Sequence, residues 1–447
     1  LILSIIQSIL FYGKQIGISM LIFEIVCNGI ILFVLNKKEK IQNKAGLWLM
    51  VPIVLLSSTY FVFANRTFYV ANIFVIFALN FIMYVSLTNQ KGTLTNYLYK
   101  TGLLFTDTVG EWQDGLKLSK EVVNEHLSVK KKTVNFKKIA KSVLIVCVVV
   151  GIVLILLSSA DSIFANLFSG IERIFTHINT ANIFNLILRI VIMVMVYFLF
   201  LSFILKVQDE FEEDEYKREI EVKDTFTIKM LLVTLNIVYL VFCFIQIQSL
   251  FAKINIQDSF DYANYARSGF FQLMFVSFIN LAVILISNRY NAKKEKNIKI
   301  LNLMLVVFTI IIAISSMYRM HMYEMEYGLT YLRMFVYIIL IIEIIAFIPI
   351  VKYILDDKFD FMKWCFGICI GAYCVANLMN IENIIVNRNL TRESIRSIDY
   401  NYLSNIASED SYIILEDKLQ DQNIDLKEET AIENILINIK NIKLARI

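Results

Sequence analysis

The sequence predicts an all-α fold: a polytopic transmembrane helix bundle of about ten spans, with an outer interfacial helix and a small helical C-terminal tail. Three observations carry that reading. The chain has 447 residues, 57% of them hydrophobic, and a mean hydropathy of +0.63, whereas soluble globular chains are nearer half apolar. The apolar residues gather in runs of about 18–25, the length that crosses a bilayer core as helix. Only two prolines occur, so few of these helices are interrupted.

In chain order, spans are expected at about 16–35, 46–64, 67–88, 139–160, 182–205, 226–250, 268–288, 299–317, 328–351 and 361–379. The opening stretch LILSIIQSILFYG is apolar but short, an interfacial turn or a truncated span. It lacks the basic start and small-residue cleavage site of a signal peptide. Residues 1–100 form the N-terminal spans, 101–138 a cytoplasmic linker, 139–380 the main bundle and 381–447 an extracytoplasmic tail. The tail is long enough for a few short helices but light for an independent domain. The segment DSIFANLFSGIERIFTHIN (161–179) lines Ile163, Phe164, Leu167, Phe168, Ile171, Ile174 and Phe175 along one helical stripe. It reads either as a helix lying in the membrane interface or as a cap over the bundle. Pro52 and Pro349 are the expected interruptions of spans.

Orientation follows from lysine and arginine in the short loops. Loops 36–45, 89–138, 289–298 and 352–360 are lysine-rich, and the alternate loops are poor. That bias puts the rich loops in the cytoplasm and both termini outside, as expected of a plasma-membrane protein. The acidic loop DEFEEDEYKRE (209–219) fits a solvated helix, with Glu213 four residues before Lys217 and Asp214 four before Arg218. Each such pair adds about 0.2–0.5 kcal/mol.

Net charge is only +4 and no basic domain is present, which argues against nucleic acid as a partner. The six cysteines, Cys27, Cys147, Cys243, Cys365, Cys369 and Cys374, all fall in apolar runs without zinc-type spacing, and only three histidines exist. They read as packing thiols, and no metal or cofactor is expected.

Ionisable residues inside spans are the best functional pointers, because hydrocarbon penalises them by at least about 2.5–3.5 kcal/mol. Glu24 and Arg189 are each expected roughly 11–12 Å deep from the outer face at about 1.5 Å per residue, so they suit an ion pair. Arg333 opens the ninth span, and Glu343 lies deeper in it, shortly before Pro349. Glu343 reads either as a proton-relay carboxyl or as a protonated, hydrogen-bonded one.

A second group gathers at one interface. Asp161 closes the fourth span, and Tyr265 and Arg267 open the seventh in YARSGFFQL. RMHMYEMEYG (319–328) adds Glu324 and Tyr327 beside Arg333. Convergence of Asp161 with Arg267 and Arg333 would leave positive charge to spare, and a planar guanidinium suits carboxylate or phosphate. The partner implied is an anionic lipid or envelope precursor, or a membrane protein, in addition to the bilayer. The competing reading is that these arginines simply snorkel to the headgroups.

Several phrases together resemble a family of bacterial multi-pass membrane proteins, domain of unknown function 4173. They are SSADSIF (158–164), NYARSGFFQL (264–273), YGLTYLRMF (327–335), NIENIIVNRNLTR (380–392) and IDYNYLSNIASED (398–410). The resemblance points to Asp161, Phe164, Tyr265, Arg267, Gly269, Phe270, Gly328, Thr330, Arg333, Asn389, Arg392, Asp399, Tyr402 and Leu403. Ser162 stands where that pattern has proline, and Ser411 and Tyr412 replace an apolar-proline continuation. The family implies a bacterial membrane protein and no particular activity.

No phosphate loop, metal pattern or nucleophile motif occurs, so the reading leans away from an enzyme. The leading expectation is a non-enzymatic membrane module that binds at the outer cluster. The alternatives are a secondary transporter using Glu24, Arg189 and Glu343, and a membrane-embedded transferase.

Overall fold

The computed structural model describes residues 2–64, 67–89, 92–110, 180–207, 225–251, 259–291, 295–356, 358–392, 398–420 and 424–444. Among these residues every regular element is a helix, as a chain that must satisfy its own backbone in hydrocarbon requires. In order they are α1 (Ile2–Phe11), α2 (Ile18–Lys37), a 3-10 turn (Lys44–Leu49), α3 (Met50–Val62), α4 (Tyr69–Thr88), α5 (Leu94–Gly110), α6 (Thr180–Lys206), α7 (Thr225–Phe251), α8 (Ser259–Tyr290), α9 (Lys296–Tyr327), α10 (Tyr331–Leu355) and α11 (Phe361–Leu378). The tail adds α12 (Ile381–Thr391), α13 (Tyr400–Ile406), a 3-10 turn (Glu409–Ser411), α14 (Tyr412–Leu419) and α15 (Leu426–Leu444).

Nine of the described helical stretches are long and apolar enough to cross a membrane. They correspond to nine of the ten expected spans. The tenth, at 139–160, and the outer helix expected at 161–179 lie outside the described residues, as do most of the 101–138 linker and the acidic loop 209–219.

Three local expectations are revised. Pro52 does not break its span: a 3-10 turn capped by Asn43, whose side chain accepts from Ala45 N at 3.0 Å, leads into α3, and Pro52 falls in that helix's first turn. There a missing N–H is harmless. Pro349 lies within α10, which continues through it to Leu355. The stretch 319–327, expected as a loop beyond the span, is instead the last turns of α9. At 1.5 Å per residue this 32-residue helix is about 48 Å long, well over the roughly 30 Å of hydrocarbon. Its polar end, RMHMYEMEY, lies beyond the span expected at 299–317.

The chain forms two compact units, residues 1–19, 25–40 and 102–210, and residues 20–24, 41–101 and 211–447. In the first, α1 packs against α6 and Ser202 Oγ donates to Thr108 O at 3.2 Å. In the second, α8 and α9 pack as an antiparallel pair, with α7 and α10 against α9 and α11 against α10 and α3. Leu232, Ile284, Ile298, Leu305, Phe347 and Ile350 form the centre of the α7–α10 bundle.

The bundle has the polarity of a membrane protein. Phe74, Phe275 and Ile348 are 69%, 66% and 62% exposed, whereas Asn280, Asn302 and Thr309 are wholly buried. Polar side chains face inward because they find partners there. In one such network Asn72 of α4 donates to Thr59 of α3 at 3.1 Å and to Asn377 of α11 at 2.7 Å, and Tyr373 donates to Asn72 at 2.6 Å.

The tail is more substantial than its length suggests. Val386, Leu390, Leu403, Leu415, Ile432, Ile435, Leu436 and Ile439 make a buried core drawn from α12 to α15. A second cluster, Leu329, Met334, Ala376, Ile381 and Ile385, joins α12 to the α9–α10 turn and α11. A module too small to bury its own surface is thereby seated on the membrane bundle.

Candidate functional site

The site is built where the tail meets the three-residue turn between α9 and α10. Gly328 ends α9 with φ +80, a conformation that L residues rarely adopt. Thr330 caps α10, its hydroxyl accepting from Arg333 N at 3.4 Å. These two residues leave the backbone groups of Leu329 and Tyr331 turned towards the tail, and the tail supplies their partners. Asn389 accepts from Leu329 N and donates to Leu329 O, both at 2.8 Å. The Tyr402 hydroxyl accepts from Tyr331 N at 2.9 Å. A buried backbone group must be paired, and here a side-chain amide does what a neighbouring strand would do in a sheet.

Charged groups add to the clamp. Glu324, 7% exposed, accepts from Arg388 Nε at 3.0 Å and from the Tyr337 hydroxyl at 2.8 Å, with His321 Nδ1 at 3.6 Å. Arg392 Nη1 donates to Glu326 O at 3.0 Å. Arg333 donates to Gly328 O and lies over the Tyr323 ring, 4.3 Å from its centre. Burial, and then the neighbouring Arg333 guanidinium, push the Arg392 pKa down, while Glu326 opposes them. Two cations therefore stand close behind one surface.

That surface is an open groove lined by Glu326, Tyr327, Arg392, Ile398, Asp399, Tyr400 and Asn401. Asp399 also caps α13, accepting from Tyr402 N at 2.9 Å. Burial raises the pKa of both tyrosines behind the groove, Tyr400 and Tyr402. Glu428 adds to it at Tyr400, and the hydrogen bond from Tyr331 N opposes it at Tyr402.

Further from the groove, wholly buried Glu382 accepts from Ser408 N at 2.6 Å, Ser408 Oγ at 2.8 Å and Ser411 Oγ at 2.7 Å. Burial raises its pKa against the pull of those three bonds, and Asp410 adds to the rise. Asp410 in turn accepts from Ala64 N, both oxygens at 3.0 Å. One short segment of the tail thus holds α12 and the end of α3 together.

The expected site residues divide accordingly. Glu324, Tyr327 and Arg333 are brought together at this turn. Asp161 lies outside the described residues; Tyr265 and Arg267 are in the N-terminal third of α8, and their side chains lie outside them too. Each of the intramembrane charges has a partner within its own unit. Glu24 accepts from Asn80 at 2.8 Å in the second unit. Arg189 donates to Ser8 Oγ at 2.8 Å and covers the Tyr12 ring in the first. Glu343 accepts from Ser277 at 2.9 Å.

Sequence reasoning alone did not find Arg388, Tyr337, Glu382 or Asp410. The available signal was Arg388 in α12 followed four residues later by Arg392 at the helix C-cap. Among the described residues no group of histidine, cysteine and acidic side chains could hold a metal ion.

No curated protein and no solved structure matches the chain. The family model described as Domain of unknown function (DUF4153) matches residues 50–417, and the 4173 family that the phrases resemble is not supported. The matched region runs from the start of α3 into α14 and takes in the α9–α10 turn, the clamp and the groove. This chain is an integral membrane protein belonging to the DUF4153 family of domains of unknown function.

Proposed function

We propose that the protein is a non-enzymatic binding module of a bacterial plasma membrane, with its tail and the α9–α10 turn on the outer side. Its ligand is an anionic lipid headgroup or envelope precursor held in the groove between Glu326 and Asn401. The observation that carries this reading is geometric: Arg392 lines the groove with its Nη1 on Glu326 O, and it stands close to Gly328, whose carbonyl Arg333 holds. An anion placed there would relieve the repulsion between the two guanidinium groups, and the planar fork of Arg392 suits carboxylate or phosphate. Asn401 supplies a neutral donor beside it. Glu326 and Asp399 set a limit: a ligand that is anionic over its whole face would be repelled, so a single acidic group next to neutral hydroxyls fits best. The side assigned to the groove rests on the lysine-rich loops at the other ends of the spans.

The test is thermal stability of the purified protein in nanodiscs of phosphatidylcholine, with and without phosphatidylglycerol. Phosphatidylglycerol should raise the melting temperature of the wild type and have no such effect on Arg392→Gln. Equal stabilisation of both proteins would remove the groove from consideration. Stabilisation of neither, together with capture of a defined membrane protein by crosslinking at Asn401, would favour a protein partner.

A further inference from the structure

Helices α7 to α10 enclose a seam of polar side chains that neither the tail nor its groove uses. On α8 and α9 these residues pair in antiparallel register. Ser287 Oγ donates to Asn302 Oδ1 at 2.7 Å, and the Asn280 amide donates to Thr309 Oγ1 at 3.1 Å. Seven residues separate these rungs on each helix, so both lie on one interface, two turns apart. One turn beyond Asn280, Ser277 Oγ donates to Glu343 Oε2 of α10 at 2.9 Å. From α7, the Asn236 amide donates to Leu301 O at 3.2 Å. All of these side chains are at most 5% exposed.

The seam is incompletely paired. Glu343 Oε1, Asn302 Nδ2, Asn236 Oδ1 and Asn288 Oδ1 are buried with no hydrogen-bond partner among the described residues. Hydrocarbon offers such atoms nothing, and proteins meet the need with ordered water. These four atoms lie one on each of α7, α8, α9 and α10, so the need for water is spread through the bundle rather than confined to one spot. Glu343 has no ion-pair partner among the described residues, and its hydrogen bond comes from Ser277 of α8. The side chains packed around this level of α10, Met274 from α8 and Ala313 and Met317 from α9, are apolar. The described residues bring titratable tyrosines to this bundle: Tyr239 beside Asn280, and Tyr323 and Tyr337 in the cluster with Met274 and Ala313.

We propose that α7 to α10 form a hydrated proton path across the membrane, in which Glu343 takes up the proton and passes it on. The geometry suits both states of the carboxyl. Oε2 keeps the Ser277 hydrogen bond throughout, while Oε1 meets the water of this path. On uptake, a lone pair of Oε1 forms the O–H bond and a hydrated proton in the path becomes neutral water. On release, the O–H bond breaks, its electron pair stays on the carboxylate and the proton returns to a water molecule. The asparagines act as both donors and acceptors, so they can hold water in either orientation. Ser277 and Ser287 are ten residues apart, about 15 Å along α8, or half of the roughly 30 Å hydrocarbon thickness. Past Glu343 in the other direction, buried Ser315, Ser316 and Arg319 of α9 continue the polar line towards the α9–α10 turn.

The test is proton flux into liposomes carrying the full chain and a trapped pH-sensitive dye, driven by a potassium diffusion potential with valinomycin. Wild-type vesicles should acidify faster than empty ones, and Glu343→Gln should return the rate to that of empty vesicles. Dicyclohexylcarbodiimide, an apolar reagent that adds to protonated carboxyls, supplies a measurement on the unaltered protein. It should abolish the flux and be found by mass spectrometry on the peptide containing Glu343. Wild-type flux no faster than that of empty vesicles would overturn the proposal. So would a Glu343→Gln rate equal to wild type, or full flux after modification at Glu343.

Discussion

A methyl group added at position 328 would stand 2.2 Å from Asn389 Oδ1 and 3.3 Å from Arg392 Nη1. Gly328 therefore answers two demands at once, a positive φ and the close approach of the tail's amide. Gly328→Ala should cost about 1–3 kcal/mol from backbone strain alone, and displacing Asn389 adds to it by unpairing both groups of Leu329. The expected outcome is release of the tail, seen as faster proteolytic cleavage between α12 and α15. Gly29→Ala is the control, since a Cβ there meets nothing within 4 Å. At this scale the sequence was partly legible. Gly328, Asn389, Arg392 and Tyr402 stood out through the phrases they belong to, but their physical roles did not. Nothing in the local sequence says that an amide at 389 matches the backbone at 329, sixty residues away.

Among the elements, α12 depends most on pH. Its Glu382 is wholly buried, with its pKa raised above the ordinary glutamate value of 4.5. The folded tail therefore binds the proton more tightly than the unfolded chain does. The stability this adds is fully present below pH 4.5 and is lost as pH rises through the raised value, with a slope of at most about 1.4 kcal/mol per pH unit. Glu382→Gln should flatten that dependence and raise the melting temperature at neutral pH. A pH series by differential scanning fluorimetry on both proteins checks it. The spans themselves were easy to read, because length and apolarity are local properties of the chain. The end of α9 was not, because polar residues continue a helix as readily as they leave one. What keeps 319–327 helical is its packing: Arg319, Met320 and Glu324 are buried, and Glu324 meets Arg388 of α12.

Over the whole molecule, the lysine distribution predicts a definite topology. With the native cysteines replaced by alanine, a single cysteine at Lys40 should be shielded from an impermeant maleimide added to intact cells. One at Gln420 should react. The reverse pattern would invert the molecule and move the groove to the cytoplasm. The membrane address was legible because hydropathy decides it over hundreds of residues. The tail's attachment was not, since it rests on a few long-range pairs that no periodicity reports.

One of those pairs bears on how the protein is made. The backbone N–H of Ala64, at the end of α3, is held by the carboxylate of Asp410, 346 residues later. On a ribosome the early helix enters the bilayer long before its fastener exists. Until that carboxylate arrives, the hairpin of α3 and α4 must wait with one end untied, open to chaperones and membrane proteases. A stop codon anywhere upstream of residue 410 would leave it permanently in that condition, so truncated products should be degraded even when every span has been inserted.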